Sequence, residues 1–354
     1  MIRQAIALAA FLCWLACLAL IVLARRHRFG LDETRGESQK KHRHPTPRTG
    51  GMAMVLGWVA GVMLIGAAGY SPEAFNVRIG LAALPLLAVG VWEDLRRHLA
   101  PLLRAAATLL SAALAVWLCG VSVTRLDLPG VDAALQHWPW LGWVAATIAI
   151  GAMPHAVNMI DGFHGLAGTV GAMILAAIAY VAFKVNDAQI MALAGVGFGA
   201  LLGFLFWNWP RGQIFLGDTG AYLLGFAVAV LAALLVQRHP QVSPWFALLV
   251  LMYPTWELLF SLWRRRMLRG RPGMRADSLH LHHLVYRRIT HALQLDDPGH
   301  HRTTLNAYTA PYLWSLAAFS IVPAVLWWNS TAILASWCLL FALAYVVAYR
   351  RLLR

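Results

Sequence analysis

WLGWVAATIAIGAMPHAVNMIDGFHGLAGTVGAMILAAIAYVAF, from Trp140 to Phe183, decides the fold. Its two ends are apolar runs, 140–157 and 165–183, each close to the ~20 residues an α-helix needs to cross a bilayer. Between them, residues 158–164 hold an amide, a carboxylate, an imidazole and glycine. Hydrocarbon offers such groups no partners, so the chain must leave the lipid there. The stretch reads as two antiparallel spans joined by a polar turn at the membrane surface.

Outward from that pair the same pattern repeats. Apolar runs recur at about 4–24, 50–69, 77–92, 102–122, 140–157, 165–183, 188–206, 220–236, 244–263, 308–328 and 332–349. This predicts an all-α polytopic membrane protein of about eleven transmembrane helices, one integral-membrane domain over 1–354. With 60% hydrophobic residues, 12% charged ones and sixteen Trp, the composition excludes an ordinary soluble domain of 354 residues. The first run is longer than the apolar core of a signal peptide and is followed by Arg25, Arg26 and Arg28, so it reads as an uncleaved span. The four cysteines all lie inside apolar runs without metal-type spacing and read as packing residues.

Lysine and arginine set the orientation. The segments 25–49, 93–104, 158–164, 207–219, 264–307 and 350–354 together carry 24 of the 29, while Arg3, Arg78, Arg125, Lys184 and Arg238 fall on the other side. The positive-inside rule then predicts an outside N-terminus, a cytoplasmic C-terminus and cytoplasmic basic loops. A net charge of +14 invites nucleic acid as a partner, but basic residues flanking spans on one side are explained by anionic membrane lipid, so no nucleic acid is expected.

The unusual polar residues gather on that same side: RHPTPRTGG (Arg43–Gly51), WEDLRR (Trp92–Arg97), NMIDGFHG (Asn158–Gly165), FLGDTG (Phe215–Gly220) and HLHH (His280–His283). Asp161 and Asp218 each precede a helix, where either alone is explained as a cap. Taken with Glu93 and Asp94 they place four carboxylates on a basic face, which favours a hard, oxygen-liganded cation such as Mg²⁺, with Mn²⁺ as substitute. His280, His282, His283 and Asp277 offer a rival zinc reading, although adjacent His282 and His283 lack the spacing that aligns two ligands on a helix. A solvated basic loop and a phosphate or nucleotide site are the other readings of this region.

The five motifs, in this order from about residue 40 to 310, resemble the polyprenyl-phosphate N-acetylhexosamine-1-phosphate transferases, the WecA and MraY types and the O-antigen-initiating enzymes among them. The resemblance places Arg43 and Thr46 near the phosphates. It aligns Asp94 with the second of two family aspartates, with Glu93 standing for the first. It matches Asn158 and Asp161, whereas His164 replaces a family aspartate. Asp218 falls at the position that binds Mg²⁺ with the help of Asp161, Phe215 at one that stacks on uracil, and His280, His282 and His283 on the family's histidine cluster.

The implied reaction moves an N-acetylated sugar 1-phosphate from a UDP-sugar to polyprenyl phosphate and releases UMP, initiating O-antigen or other envelope polysaccharide synthesis at the bacterial inner membrane. Glu93, Asp94, Asp161 and Asp218 are the expected catalytic acids, with Asp94 positioning or deprotonating the lipid phosphate. Direct and covalent two-step transfer both remain open. The resemblance also implies a homodimer. A transporter or flippase is the competing class, but it would hold its substrate near the membrane midplane, where these spans are almost free of acids. A structural membrane scaffold would need no clustered acids and histidines.

Overall fold

The computed structural model describes residues 1–27, 30–32, 45–96, 99–269, 279–293 and 302–353. Arg43 and Asp277 lie outside these residues. Among the described residues fourteen helices are formed: α1 (Ile2–His27), α2 (Gly50–Ala67), α3 (Glu73–Arg96), α4 (Pro101–Cys119), α5 (Pro129–His137), α6 (Pro139–Ile160), α7 (Leu166–Lys184), α8 (Ala188–Asn208), α9 (Gly217–Arg238), α10 (Pro244–Val250), α11 (Met252–Arg269), α12 (Leu281–Ala292), α13 (Arg302–Leu326) and α14 (Thr331–Leu353). Ten of these are long and apolar enough to cross a membrane, and α10 and α11 meet the same criterion only as a pair, bent by 71°. Ten of the eleven expected spans are single helices, and the remaining one, 244–263, coincides with the bent pair α10 and α11. The departures from an all-helical chain are β1 (Leu31–Asp32) and β2 (Thr46–Pro47), a two-residue antiparallel pair.

Packing follows the spacing of small residues. On α1 the buried positions are Ala5, Ala9, Cys13, Cys17, Ile21 and Ala24, one mainly small-residue stripe that lets α2 and α8 approach closely. Helix α9 is buried nearly all round and forms the centre, against which α3, α6 and α7 pack. The cysteines Cys13, Cys17 and Cys338 are buried among apolar residues.

Two prolines reshape spans that the hydropathy alone leaves straight. Pro85 interrupts the hydrogen-bond ladder of α3, and the neighbouring Leu86 amide donates instead to Ser111 Oγ of α4 at 3.0 Å. Pro254 has no N–H, and its ring opposes the carbonyl four residues earlier, that of Val250. There α10 ends, and the expected span 244–263 turns by 71° into α11. Two further helices lie outside the spans: α5, and α12, whose buried side carries Leu281, His282, His283, Leu284 and Tyr286.

Candidate active site

Helices α2, α4 and α9 begin, and α3 and α6 end, at one end of the bundle, so their terminal residues meet. The N-terminus of α9 is the centre. Asp94, from the last turn of α3, accepts the Asp218 amide on Oδ1 (2.8 Å), and on Oδ2 both the Thr219 amide (2.9 Å) and the Thr219 hydroxyl (2.6 Å). Both oxygens are committed to capping α9, and the residue is 1% exposed. Close approach demands glycine at Gly217, whose φ is +72° and where a Cβ would stand 2.1 Å from the Arg48 carbonyl and 2.6 Å from Asp94 Oδ1.

Asp218 projects from this capped turn and gathers four donors. Arg48 Nη2 (3.1 Å) and Asn158 Nδ2 (3.0 Å) reach Oδ1, and the Tyr222 hydroxyl (3.0 Å) and Arg104 Nη1 (3.5 Å) reach Oδ2. Arg104 also lies 3.9 Å from Glu93 Oε1, and Glu93 Oε2 accepts the Leu99 amide at 2.9 Å, so Glu93 braces the turn into α4. Burial works against the Arg48 charge, but Asp218 and Asp94 outweigh it and raise its pKa.

Asp161 closes α6 and makes no hydrogen bond through its carboxylate among the described residues. Burial, reinforced by Asp218 and Asp94 against the pull of Arg48, pushes this carboxyl up to about 7. Among the described residues no three histidine, cysteine or acidic side chains converge on one point.

The wall around the acids is built from the other expected motifs. Thr46 is buried in β2, the Phe215 amide donates to the Pro47 carbonyl (2.8 Å), and the amides of Gly50 and Gly51 donate to the carbonyls of Phe215 and Leu216 (2.9 and 2.8 Å). A Cβ at Gly51 would come 2.1 Å from the Gly220 nitrogen, so this docking requires glycine. His164 is 3% exposed and tilts against Phe215 with ring centroids 5.6 Å apart, while its amide donates to Asn306 Oδ1 at 2.7 Å. Its place is in the wall, behind Phe215. The next amide, of Gly165, donates to Asn208 Oδ1 at 2.6 Å.

The histidine motif meets the Asp161 turn from α12. His282 lies against Gly162 and Phe163, stacks on His280 (5.4 Å) and abuts His283 (4.4 Å). Burial, then His283 and His280, drives its imidazole well below the usual range, so it is neutral. His280 faces away from the acids. Its Nδ1 contacts Glu257 Oε1 at 3.0 Å and its Nε2 contacts Arg265 Nη2 at 3.1 Å, while Glu257 also accepts the Tyr345 hydroxyl at 2.6 Å. Since arginine only donates, the proton of His280 sits on Nδ1.

Thus Asp94 and Asn158 are joined to Asp218 by hydrogen bonds to its amide and carboxylate, Asp161 lies within their electrostatic reach, Glu93 joins them through Arg104, and Thr46, His164, Phe215, His282 and His283 form the surrounding wall. Sequence reading missed Arg48, Arg104, Tyr222, Asn208, Asn306 and Glu257. Arg48 stood inside a motif already singled out, and Tyr222 follows Asp218 by one helical turn, a spacing that was available as a signal.

A model of glycosyl transferase family 4 matches residues 77–236. The chain is 28% identical over 294 residues to a probable undecaprenyl-phosphate N-acetylglucosaminyl 1-phosphate transferase of Bacillus subtilis, covering 82% of this chain and 77% of that one. It is 30% identical over 273 residues to a decaprenyl-phosphate N-acetylglucosaminephosphotransferase of Mycobacterium leprae, covering 68% and 67%, and 30% identical over 246 residues to a phospho-N-acetylmuramoyl-pentapeptide-transferase of Rubrobacter xylanophilus, covering 64% and 73%. An acid cluster capped into the end of a helical membrane bundle, in a chain so related, leaves the transporter reading without support: the chain belongs to glycosyl transferase family 4 and is a membrane phosphosugar transferase.

Proposed function

We propose that the protein transfers an N-acetylated amino-sugar 1-phosphate from a UDP-sugar to polyprenyl phosphate, releasing UMP, on the cytoplasmic face of the bacterial inner membrane, as the first step of an envelope polysaccharide. One observation carries this reading: Asp94, Asp161 and Asp218 share one membrane-edge site with Arg48 and Arg104.

The residues fit a divalent cation of the Mg²⁺ kind. Among the described residues the Asp161 carboxylate has no hydrogen-bond donor, and burial, reinforced by the charges of Asp218 and Asp94, raises its pKa. Mg²⁺ takes one or two carboxylates and completes its shell with substrate phosphates and water, so a trio of protein ligands is not required. Asp161 and Asp218 would hold the ion, which when bound would neutralise the donor pyrophosphate and stabilise the leaving UMP. Arg48 and Arg104 add fixed positive charge where the two anionic substrates must meet. Asp94 acts as a positioning residue, since it fixes the turn that aims Asp218. Phe215 offers its half-buried ring to the uracil, with His164 behind it.

The acceptor's tail has a place as well. An apolar groove of about 370 Å³ runs along α6 between α9 and the bent pair α10 and α11, lined by Ala149, Met153, Ala156, Ala233, Leu248 and Leu258 among others. That is the low end of the ~300–1,000 Å³ usual for ligand sites, so it seats a stretch of isoprenoid while the rest stays in lipid.

The test is UMP release by purified protein given undecaprenyl phosphate, Mg²⁺ and a panel of UDP-GlcNAc, UDP-QuiNAc, UDP-FucNAc and UDP-GalNAc. EDTA should abolish release and Mg²⁺ or Mn²⁺ restore it, whereas restoration by zinc alone would move the metal to the histidines. Asp218→Asn should fold and lose about a hundredfold or more in rate. Full activity of that variant would remove the mechanism. With native cysteines replaced, Ala100→Cys should resist an impermeant thiol reagent in intact cells and Ala133→Cys should react, and the reverse pattern would invert the membrane orientation.

A further inference from the structure

One turn deeper than the acids, the same three helices supply a second layer that the reading above does not use. Thr108 follows Arg104 by four residues on α4, His155 precedes Asn158 by three on α6, and Tyr222 follows Asp218 by four on α9. The Thr108 hydroxyl donates its own proton to the Ala105 carbonyl at 3.0 Å. With that proton given to Ala105, the contact with His155 Nε2 at 2.9 Å uses an oxygen lone pair and the imidazole carries its proton on Nε2.

That leaves a lone pair on Nδ1. His155 is half-buried, and Nδ1 makes no hydrogen bond among the described residues. The Tyr222 ring, 5.5 Å away, cannot satisfy it, because the Tyr222 hydroxyl donates to Asp218. The charged groups that face the imidazole are Arg104 from α4 and Asp218 from α9. On α6 the apolar groove is lined as far as Ala156, the residue after His155, while His155 itself lies outside the lining and faces Thr108 and Tyr222; a phosphate whose tail occupies the groove reaches that height at its edge. Asp94, the acid expected to deprotonate that phosphate, has both oxygens committed to the cap of α9.

We propose that His155 Nδ1 accepts the proton of the incoming polyprenyl phosphate. The assignment rests on the transferase reading above. A phosphate monoester has its second pKa near ~6, so a substantial fraction of the acceptor arrives protonated in mildly acidic conditions. In the step, the P–O–H proton moves to Nδ1 and the freed oxygen forms a bond to the phosphorus that carries the sugar. The bond from that phosphorus to the bridging oxygen of UMP breaks, and the electron pair leaves with UMP. The imidazolium then returns its proton to the UMP phosphate, which restores His155 and balances charge.

The experiment measures UMP release against acceptor concentration across pH for the unaltered protein and for His155→Gln, which keeps an amide donor for Thr108 but takes up no proton. The ratio of the two kcat/KM values cancels the titration of groups common to both. It should be about tenfold or more near pH ~5.5 and within about twofold near pH ~8.5, where the acceptor is already a dianion. Thr108→Val, which frees the tautomer without removing the imidazole, should shift the profile in the same direction by less. A ratio that stays constant with pH in both variants overturns the assignment and makes His155 a packing residue. No UMP release by the unaltered protein with any donor overturns the transferase reading instead.

Discussion

Asp94 shows how a carboxylate's neighbours decide its work. Two backbone amides and a hydroxyl converge on it, so its charge stabilises the first turn of α9. Asp94→Asn keeps the size but turns an NH₂ toward one of those amides, leaving a buried donor unpaired at a cost of about 1–3 kcal/mol. The variant should therefore unfold at lower temperature in detergent as well as lose activity. Unchanged thermal stability with lost activity would make Asp94 a proton carrier instead. From sequence, WED was legible as an acid pair at a span's end, but the partner of each acid was not, because Thr219 lies 125 residues away from Asp94. Arg48 and Arg104 were hidden for the same reason: among many basic residues near the membrane, only three-dimensional proximity to Asp218 singles them out among the described residues.

Spans were the most legible elements, since each carries its own apolar run, and ten of the eleven stand as single apolar helices while 244–263 is a bent pair. What hydropathy could not give was shape. Pro254 marks the break between α10 and α11, but a proline within an apolar run bends some helices and breaks others, and the packing around it determines the angle. The amphipathic α12 was hidden because two of its five buried residues are histidines, which a hydropathy scan counts as polar, and it is too short for a span. The start of α8 illustrates an element secured by one carboxylate. Asp187 accepts the Ile190 amide at 2.9 Å and pairs with His239 Nε2 at 3.0 Å and Arg238 at 3.4 Å. Burial opposes its charge, but the Ile190 amide, His239 and Arg238 prevail and hold its pKa below the ordinary value. Its stabilisation is therefore present above the ordinary carboxylate pKa of ~3.9 and is lost as pH falls through the lower, folded-state value. Asp187→Asn should be less stable than the unaltered protein by about 0.5–1 kcal/mol at neutral pH, with the two melting curves converging in acid below about pH 4. A gap that persists undiminished in strong acid would remove the charge from this account.

At the scale of the whole molecule, α9 ties the two membrane faces together. Asp94 pins its first turn, and at the far end Gln237 donates to the Gly120 carbonyl and accepts the Ser122 amide, each at 2.9 Å. Its 22 residues make a strut of about 33 Å, close to the ~30 Å hydrocarbon thickness of a typical bilayer. Peripheral spans can tilt when lipid thins or thickens, whereas a central strut fastened at both ends cannot readily follow. Membrane thickness then sets the height of Asp218 relative to the lipid phosphates it must meet. Turnover in vesicles of short, intermediate and long acyl chains should peak at the intermediate length, and a flat profile would show that the strut yields. A cell that remodels its acyl chains would thereby change the output of this enzyme without any ligand binding to it.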